Sequence, residues 1–214
     1  MDLSDFRKDY LQSGLISKDL ANSPVDQFTK WFEQAIESGI DEPNAMSLAT
    51  ADSAGRPSLR TVLLKYFDED GFVFFTNYSS RKSREIGENP NVSLLFPWVA
   101  LERQVVIVGT AEKISTAESL KYFTSRPHES QLGAWVSQQS SVIPNRKFLQ
   151  MKLAEIGRKF KAGKVPLPDF WGGYRVIPRE IEFWQGGAAR LHDRFQYTRQ
   201  SESENLWNIN RLSP

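Results

Sequence analysis

The chain contains no cysteine and only two histidines, His128 and His192, in 214 residues. Without cysteine there can be no disulfide, thiolate nucleophile or Cys-ligated metal. Two histidines also argue against a His-rich metal site, so we expect no bound metal. Neither sign of charge dominates, because 27 basic and 26 acidic residues leave a net charge of +1. We therefore expect neither nucleic acid nor a membrane as a partner, and any anion site must be local.

Long apolar runs and nucleotide-binding motifs are also missing. No run approaches the roughly 20 apolar residues of a membrane span, and residues 1–6 are acidic, so we expect a soluble, cytoplasmic protein. There is no GxGxxG after a strand and no GxxxxGK followed by Ser or Thr, which excludes a Rossmann site and a P-loop. The glycine pairs at 172–173 and 186–187 are interpreted as turn glycines. A phosphorylated cofactor would therefore be bound mostly by side chains.

The hydrophobic periodicity predicts mainly β structure with flanking helices. An amphipathic helix is expected over residues 26–38, ending near Gly39, with further helices at 80–88, 116–125, 128–136 and 145–161. Strands are expected at 45–51, 59–67, 72–76, 92–98, 104–114, 173–177, 180–185, 194–199 and 206–210. Strands so numerous and closely spaced predict a closed barrel rather than a parallel sheet, and the length favours one domain.

Polar chemistry is densest at residues 181–194, where a strand is expected to end. His192 is flanked by Arg190 and Arg194, Asp193 lies between His192 and Arg194, and Trp184 lies upstream. Guanidinium groups suit phosphate or carboxylate, and an indole offers a flat surface for a ring. This cluster predicts a site for a planar anionic ligand, the alternative being an exposed hairpin whose charges pair with one another.

Two further basic clusters precede residue 90. Arg60 and Lys65 bracket an apolar strand, and residues five apart face opposite sides of a strand, so we expect them to have different partners. In the second cluster, cap-type residues at 76–80 precede a helix that opens with Arg81 and Lys82. Free amides at a helix N-terminus with adjacent positive charge favour an anion site. Solvated surface charge is the alternative for both.

A third cluster consists of Tyr122, Arg126 and Ser130, spaced by four residues. This spacing predicts that Tyr122 and Arg126 share one helical face despite the break expected at Pro127. Here too a solvated surface is the alternative.

Together these segments resemble the pyridoxine/pyridoxamine 5'-phosphate oxidase family over nearly the whole chain. The motifs that carry the resemblance are RTVLLK at 60–65, FTN at 75–77, SRK at 80–82, PW at 97–98, ERQ at 102–104, YFTSR at 122–126, GAW at 133–135, QS at 139–140, Pro-Leu-Pro at 166–168, WGG at 171–173, EFWQ at 182–185 and RLHDR at 190–194. The last is the signature region of the family.

The resemblance implies a homodimeric split β-barrel that binds FMN at the subunit interface. It also implies oxidation of pyridoxamine 5'-phosphate and pyridoxine 5'-phosphate to pyridoxal 5'-phosphate. In that reaction a hydride passes to flavin N5, and O2 accepts the electrons and gives H2O2. The implied domain organisation is a mobile N-terminal segment over residues 1–20 and a single oxidase domain over residues 21–214.

Position by position, the resemblance assigns three sets of residues. It implies that the second subunit supplies several of Gln104, Gln139, Ser140, Trp184 and Arg194. Arg190 and His192 match the residues over the pyridine ring and are the expected catalytic pair. The expected FMN ligands are Arg60, Thr61, Val62, Leu63, Leu64, Lys65, Phe75, Thr76, Arg81, Lys82, Gln104, Gln139, Ser140, Trp184 and Arg194. The expected substrate ligands are Arg7, Tyr10, Lys65, Tyr122, Arg126, Ser130, Arg190, Leu191 and His192.

Two alternatives belong to other functional classes. A split-barrel, flavin reductase-like oxidoreductase with another substrate would keep the flavin contacts but would not need Tyr122, Arg126 and Ser130 together with Arg190 and His192. A non-catalytic B6-phosphate binding protein would not need the flavin set. The presence of both sets favours the oxidase. Phe75 departs from the family pattern, because relatives often have tyrosine there.

Overall fold

The computed structural model describes residues 14–160, 163–201 and 205–214. In this part of the chain the α-helices are α1 (Pro24–Glu37), α2 (Arg81–Glu88), α3 (Thr116–Ser125), α4 (His128–Val136) and α5 (Arg146–Lys159). The strands are β1 (Ala45–Ala51), β2 (Pro57–Leu63), β3 (Tyr66–Asp68), β4 (Gly71–Asn77), β5 (Asn91–Trp98), β6 (Arg103–Lys113), β7 (Trp171–Gln185), β8 (Asp193–Arg199) and β9 (Trp207–Leu212).

All nine described strands belong to one curled antiparallel sheet. Seven follow the order β2-β1-β5-β6-β7-β4-β3, and β8 pairs with β7 and with β9. Strand β7 is the longest and organises the sheet. It pairs with β6 along one edge, while its other edge pairs first with β4 over residues 171–176 and then with β8 over residues 180–185.

The core follows from the alternation of apolar residues along these strands. In β1 and β5 every second residue is buried, and the inward side chains include Leu48, Leu94 and Phe96. Helix α1 closes the core with Phe28, whose ring centroid lies 5.0 Å from those of Phe72 and Phe96 in edge-on contacts. Burial of such a side chain contributes about 1.5–3 kcal/mol, so α1 is fixed by its apolar face.

The expected helices are all present, with bounds that agree within two residues. Helix α1 begins at the N-cap Ser23, whose side chain accepts hydrogen bonds from the N–H groups of Val25 and Asp26. It is followed by Gly39 at φ 75°, a left-handed conformation that glycine adopts readily. In the described part of the chain no helix is long and apolar enough to cross a membrane.

The prediction of a single strand at 59–67 is wrong, because the chain changes its pairing partner from one strand to another within that range. Strand β2 pairs with β1 and ends at Leu63, whereas β3 pairs with β4. At the corner the Leu64 N–H donates to the Asn44 carbonyl at 2.9 Å, and the Lys65 N–H donates to the Val73 carbonyl at 2.9 Å. The buried Leu64 side chain anchors this corner in the core.

The sheet is also not the closed barrel expected, because no described pairing joins β2 to β3.

The two strands expected at 173–177 and 180–185 are one strand, β7. Pro178, which lacks an N–H, is accommodated at a register shift opposite Val108 and Gly109. Gly109 allows this close approach, since a Cβ there would lie 2.0 Å from the Ile177 carbonyl oxygen. Gly172 is likewise not a turn glycine but lies inside β7, where a Cβ would lie 2.2 Å from the Tyr78 hydroxyl oxygen.

Candidate active site

A cavity of about 650 Å³ lies beside strands β2 and β4 and helices α2, α3 and α4. Among the described residues that line it are three cations, Lys65, Lys82 and Arg126, and no carboxylate. Eleven of the expected ligands line it: Thr61, Val62, Leu63, Lys65, Phe75, Thr76, Lys82, Tyr122, Arg126, Ser130 and Gln139. The cavity is therefore suited to an anionic ligand with an apolar part.

A hydrogen-bonded cluster joins three of these residues from three separate segments. Lys82 Nζ donates to Thr76 Oγ1 at 3.2 Å and to Gln139 Oε1 at 3.3 Å, and Thr76 Oγ1 donates to Gln139 Oε1 at 3.0 Å. Burial lowers the pKa of Lys82, and the nearby positive charge of Arg60 lowers it further. No described carboxylate forms an ion pair with this buried ammonium group, so a bound anion would stabilise its charged form.

Arg126 lies on an aromatic stack at another wall of the cavity. Phe75 stacks on Tyr122 with ring centroids 4.0 Å apart and on Trp171 at 5.3 Å, and the Arg126 guanidinium carbon lies 4.7 Å from the Trp171 ring centroid. Burial lowers the pKa of Arg126. Its Nη1 atom is buried, and no described residue accepts a hydrogen bond from it. This orphaned donor is the strongest sign of a missing anionic partner.

One detail of the third cluster differs from expectation. Helix α3 ends at Ser125, and Arg126 is its extended C-cap residue at φ −73° and ψ 151°. Arg126 therefore does not share a helical face with Tyr122, because the chain has already turned toward Pro127. Both residues nevertheless line the cavity, together with Ser130 from helix α4.

Arg60 and Arg81 lie outside the cavity lining and share one carboxylate, that of Glu85. Glu85 Oε1 accepts a hydrogen bond from Arg81 Nε at 2.7 Å, and Glu85 Oε2 accepts one from Arg60 Nη2 at 3.3 Å. Burial would raise the pKa of Glu85, but hydrogen bonds from Ser58, Thr50 and Arg81 outweigh it and lower the pKa to about 2. Arg60 and Lys65 have separate surroundings, since only Lys65 lines the cavity, but they do not face opposite sides of one strand, because β2 ends at Leu63.

Helix α2 is also tied to the loop after α4. The backbone N–H of Arg81 donates to Ser140 Oγ at 3.1 Å, and the neighbouring Gln139 contacts Lys82. The expected cofactor ligands of the SRK and QS motifs therefore lie side by side. Leu64, by contrast, is buried in the core and does not line the cavity.

The remaining expected ligands form a second cluster at the other end of β7. Gln104 of β6 pairs with Trp184 of β7, which pairs with Arg194 of β8, so the three side chains lie in one row across the sheet. The His192 ring centroid lies 4.7 Å from that of Trp184. His192 Nδ1 accepts a hydrogen bond from the Gly187 N–H at 3.1 Å.

The hairpin alternative is borne out in part, because one ion pair joins two residues of the 181–194 segment and another leaves it. Arg194 forms an ion pair with Glu182 at 2.8 Å, and Asp193 forms one with Arg211 at 2.8 Å. Arg190 is exposed and has a left-handed backbone, with φ 62°. That conformation is uncommon for a residue with a Cβ, and such residues are frequent at functional sites. The neighbouring Leu191 is 72% exposed.

The two clusters lie at opposite ends of strand β7. Trp171 at the start of β7 lines the cavity, whereas Trp184 near its end belongs to the second cluster. At about 3.3 Å per residue, roughly 40 Å of extended strand separates them. Arg7 and Tyr10 lie outside the described residues. Among the described residues no group of three His, Asp or Glu side chains could hold a metal ion.

Sequence reasoning did not identify two residues of the site. Trp171 belongs to a motif of the resemblance, but its role as the platform under Arg126 was not expected. Glu85 was missed altogether, although its spacing of four residues from Arg81 on one helix is a signal for an ion pair.

Comparisons with known proteins agree with this architecture. A sequence model of the family described as pyridoxamine 5'-phosphate oxidase matches residues 32–160, and one described as the pyridoxine 5'-phosphate oxidase C-terminal dimerisation region matches residues 171–214. A protein named pyridoxine/pyridoxamine 5'-phosphate oxidase from Crocosphaera subtropica is 62% identical over all of both chains. A protein of the same name from Vesicomyosocius okutanii is 59% identical, over 100% of this chain and 99% of that one.

Solved structures confirm the split β-barrel fold. PhzG from Burkholderia lata 383, in complex with tetrahydrophenazine-1-carboxylic acid, is similar with a TM-score of 0.87 and 31% identity, over 94% of this chain and 98% of that one. A pyridoxamine 5'-phosphate oxidase-related, FMN-binding protein from Nostoc punctiforme has a TM-score of 0.72 and 15% identity, over 91% and 100% of the chains, and shows the fold alone. By its sequence and its fold, this chain belongs to the pyridoxamine 5'-phosphate oxidase family.

Proposed function

We propose that this protein oxidises pyridoxamine 5'-phosphate and pyridoxine 5'-phosphate to pyridoxal 5'-phosphate with FMN as its cofactor. One observation carries the proposal. The cavity lining has three cations, no described carboxylate and an orphaned guanidinium nitrogen on Arg126. Such a cavity needs anionic ligands, and two phosphate groups would pair its separate cations.

The described residues fit a flavin phosphate at the start of helix α2. Lys82, Thr76 and Gln139 already form one polar cluster, and Arg81 and Ser140 adjoin it. Hydrogen-bond donors of this kind suit phosphate and ribityl oxygens. Val62 and Leu63 of the same cavity supply an apolar wall for an isoalloxazine ring. When bound, FMN would supply the redox chemistry, taking a hydride from the substrate and passing its two electrons to O2 to give H2O2; with the amine substrate, water would then replace the nitrogen, which leaves as ammonia.

The substrate phosphate is assigned to Lys65, Tyr122, Arg126 and Ser130. All four line the cavity, and the Arg126 guanidinium carbon lies 4.7 Å from the Trp171 ring centroid. A guanidinium group fixed in this way meets an anion without first losing rotamer freedom. These residues anchor the end of the substrate remote from the reacting carbon, so their task is orientation.

Arg190 and His192 are assigned to the pyridine ring of the substrate. Because His192 Nδ1 accepts a hydrogen bond from Gly187, the proton of a neutral ring lies on Nε2. His192 therefore acts as a hydrogen-bond donor that positions the substrate, and the reaction requires no general base at this position. The exposed Arg190 can lie against a ring face and stabilise negative charge there.

The active site is shared between two subunits in this proposal. The cavity and the second cluster lie at opposite ends of β7. We therefore do not expect both clusters of one chain to contact the same substrate molecule. A homodimer solves this if the second cluster of each chain faces the cavity of the other. The match of residues 171–214 to a dimerisation region supports the arrangement, since it covers β7, β8 and β9. Residues 21–214 then act as one domain, to which residues 14–20 also belong, because Leu15 is buried in the core and its N–H donates to Asp193 Oδ2 at 2.9 Å.

The proposal is tested by purifying the full chain, measuring its flavin absorbance and identifying the flavin by mass. Turnover is then followed with both substrates by the formation of pyridoxal 5'-phosphate and H2O2. We expect FMN at one per subunit and equal amounts of the two products. Bound FMN without oxidation of either substrate would instead favour a split-barrel enzyme with another substrate, and failure to bind FMN would favour a B6-phosphate binding protein.

A further inference from the structure

Glu85 of helix α2 connects the strands of the barrel to a cofactor ligand. Its side chain is 6% exposed, while that of its partner Arg81 is 59% exposed. Glu85 Oε1 accepts from Arg81 Nε, and Glu85 Oε2 accepts from Arg60 and from the hydroxyl groups of Thr50 and Ser58. One buried carboxylate thus receives donors from β1, β2 and α2.

Arg60 fixes this carboxylate from the strand side. Its Nη1 atom donates to the Leu48 carbonyl at 3.1 Å and to Thr50 Oγ1 at 2.6 Å, and its Nη2 atom donates to Ser58 and Glu85. Both terminal nitrogens are therefore used within the chain. In this structure Arg60 supports Glu85 rather than extending into the cavity.

Arg81 is held in a different way. Glu85 engages only its Nε atom, and no described residue accepts a hydrogen bond from its two terminal nitrogens. Arg81 is the first residue of α2, and its backbone N–H donates to Ser140 Oγ at 3.1 Å, so the side chain starts beside the loop that carries Gln139 and Ser140. Since Glu85 fixes the plane of the guanidinium group, its two terminal donors remain available for an anion.

We propose that Glu85 is a positioning residue for the cofactor phosphate, which ties Arg81 to strands β1 and β2 through Arg60. The inference rests on the proposed FMN site and adds a residue that touches neither cofactor nor substrate. Without the carboxylate, Arg60 and Arg81 would repel each other, and Arg81 would move into solvent. Ordering such a long side chain on binding weakens affinity by about two- to tenfold.

The effect is specific to the phosphate, so it is tested by comparing FMN with riboflavin, which lacks that group. The flavin-free full chain is titrated with each ligand, following the quenching of flavin fluorescence. In Glu85→Ala we expect the FMN Kd to rise about two- to tenfold, with the riboflavin Kd unchanged within twofold. Glu85→Gln keeps the shape of the side chain and one acceptor oxygen. Its ratio of the FMN Kd to the riboflavin Kd should therefore lie between the ratios of wild type and Glu85→Ala. If Glu85→Ala does not fold, Glu85→Gln alone tests the proposal.

Glu88→Ala is the matched control, because Glu88 is an exposed carboxylate one turn further along α2, and among the described residues it accepts a hydrogen bond only from the Ser53 N–H, at 3.1 Å. It should retain the wild-type ratio of Kd values. The proposal is overturned if the Glu85 variants keep that ratio, lose both ligands equally, or favour FMN more strongly than wild type does. A wild-type chain that binds FMN no better than riboflavin would instead refute the proposed phosphate site itself.

Discussion

At the scale of single residues, the cavity is distinguished by polar groups that the chain leaves unpaired. Arg126 is the clearest case, since its guanidinium group lies on Trp171 while its buried Nη1 atom lacks an acceptor in the described structure. An unsatisfied buried donor costs about 1–3 kcal/mol in the absence of a ligand. A bound phosphate would remove this cost, which connects the local packing directly to substrate binding.

Arg126 and Arg190 should therefore give different kinetic defects. Arg126→Ala should raise KM about ten- to a hundredfold with a smaller change in kcat, because a charge-assisted hydrogen bond remote from the reacting carbon is lost. Arg190→Ala should lower kcat as well, because the ring is no longer held in reactive geometry. Steady-state kinetics on FMN-saturated variants check both.

The matched control is Arg158→Ala, which removes an exposed arginine whose side chain, among the described residues, donates only to the Ala154 carbonyl of its own helix. It should leave KM and kcat unchanged. A normal kcat in Arg190→Ala, or a collapse of kcat at unchanged KM in Arg126→Ala, would mean that the two roles are assigned wrongly.

Glu85 leads to a prediction about acid stability. Its pKa falls from an ordinary value of 4.5 to about 2 on folding, so its contribution to stability is fully present above pH 4.5. That contribution is lost as the pH falls toward 2. Glu85→Gln should therefore be less stable than wild type at pH 7, and its disadvantage should shrink between pH 4.5 and 2. Urea unfolding at several pH values measures the free energy of unfolding of both proteins. A difference in that free energy that stays constant with pH would refute the prediction.

The sequence predicted many cavity residues but not their supports. Lys65, Tyr122, Arg126 and Ser130 follow from the motifs, and all four line the cavity. Glu85 did not follow, because an acidic residue four positions after an arginine on a helix usually marks a solvated ion pair. Only the packing of α2 against β1 and β2 buries it, and that contact is not encoded in local spacing.

At the scale of elements, strand β7 determines the geometry of the site. Its first half carries Trp171 into the cavity, and its second half carries Trp184 into the row with Gln104 and Arg194. Continuity through Pro178 depends on the register shift at Gly109. The expectation of two strands failed here because a proline inside an apolar run usually ends a strand, whereas this one is accommodated opposite a bulge.

Gly109→Ala should therefore destabilise the protein by at least about 2 kcal/mol, because the new Cβ would overlap the Ile177 carbonyl and the backbone would have to shift. Gly87→Ala on α2 is the control, since a Cβ there meets nothing within 4 Å. That change should stabilise the protein by about 0.5–1 kcal/mol through higher helix propensity. Thermal unfolding measures both, and a tolerated Gly109→Ala would contradict the account of the bulge.

At the scale of the whole molecule, the order of motifs along the chain identified the family, but only the structure separated the site into two clusters. Arg60 and Lys65 belong to one motif but have different surroundings. Thr76 and Gln139 belong to different motifs, 63 residues apart, but are in contact. The cavity and the second cluster occupy opposite ends of one strand. In the proposed dimer, each active site therefore combines residues of two chains.

Mixing two impaired variants tests most directly whether each active site combines residues of two chains. Arg126→Ala impairs the cavity and Arg190→Ala the second cluster, and each variant alone should be slow at substrate concentrations far below the KM of Arg126→Ala. If each site uses the cavity of one chain and the second cluster of the other, a heterodimer has one intact site and one doubly substituted site. Random exchange of equal amounts should then restore about a quarter of the wild-type activity. No recovery, with heterodimers demonstrated by mass after isotope labelling of one variant, would contradict the shared site.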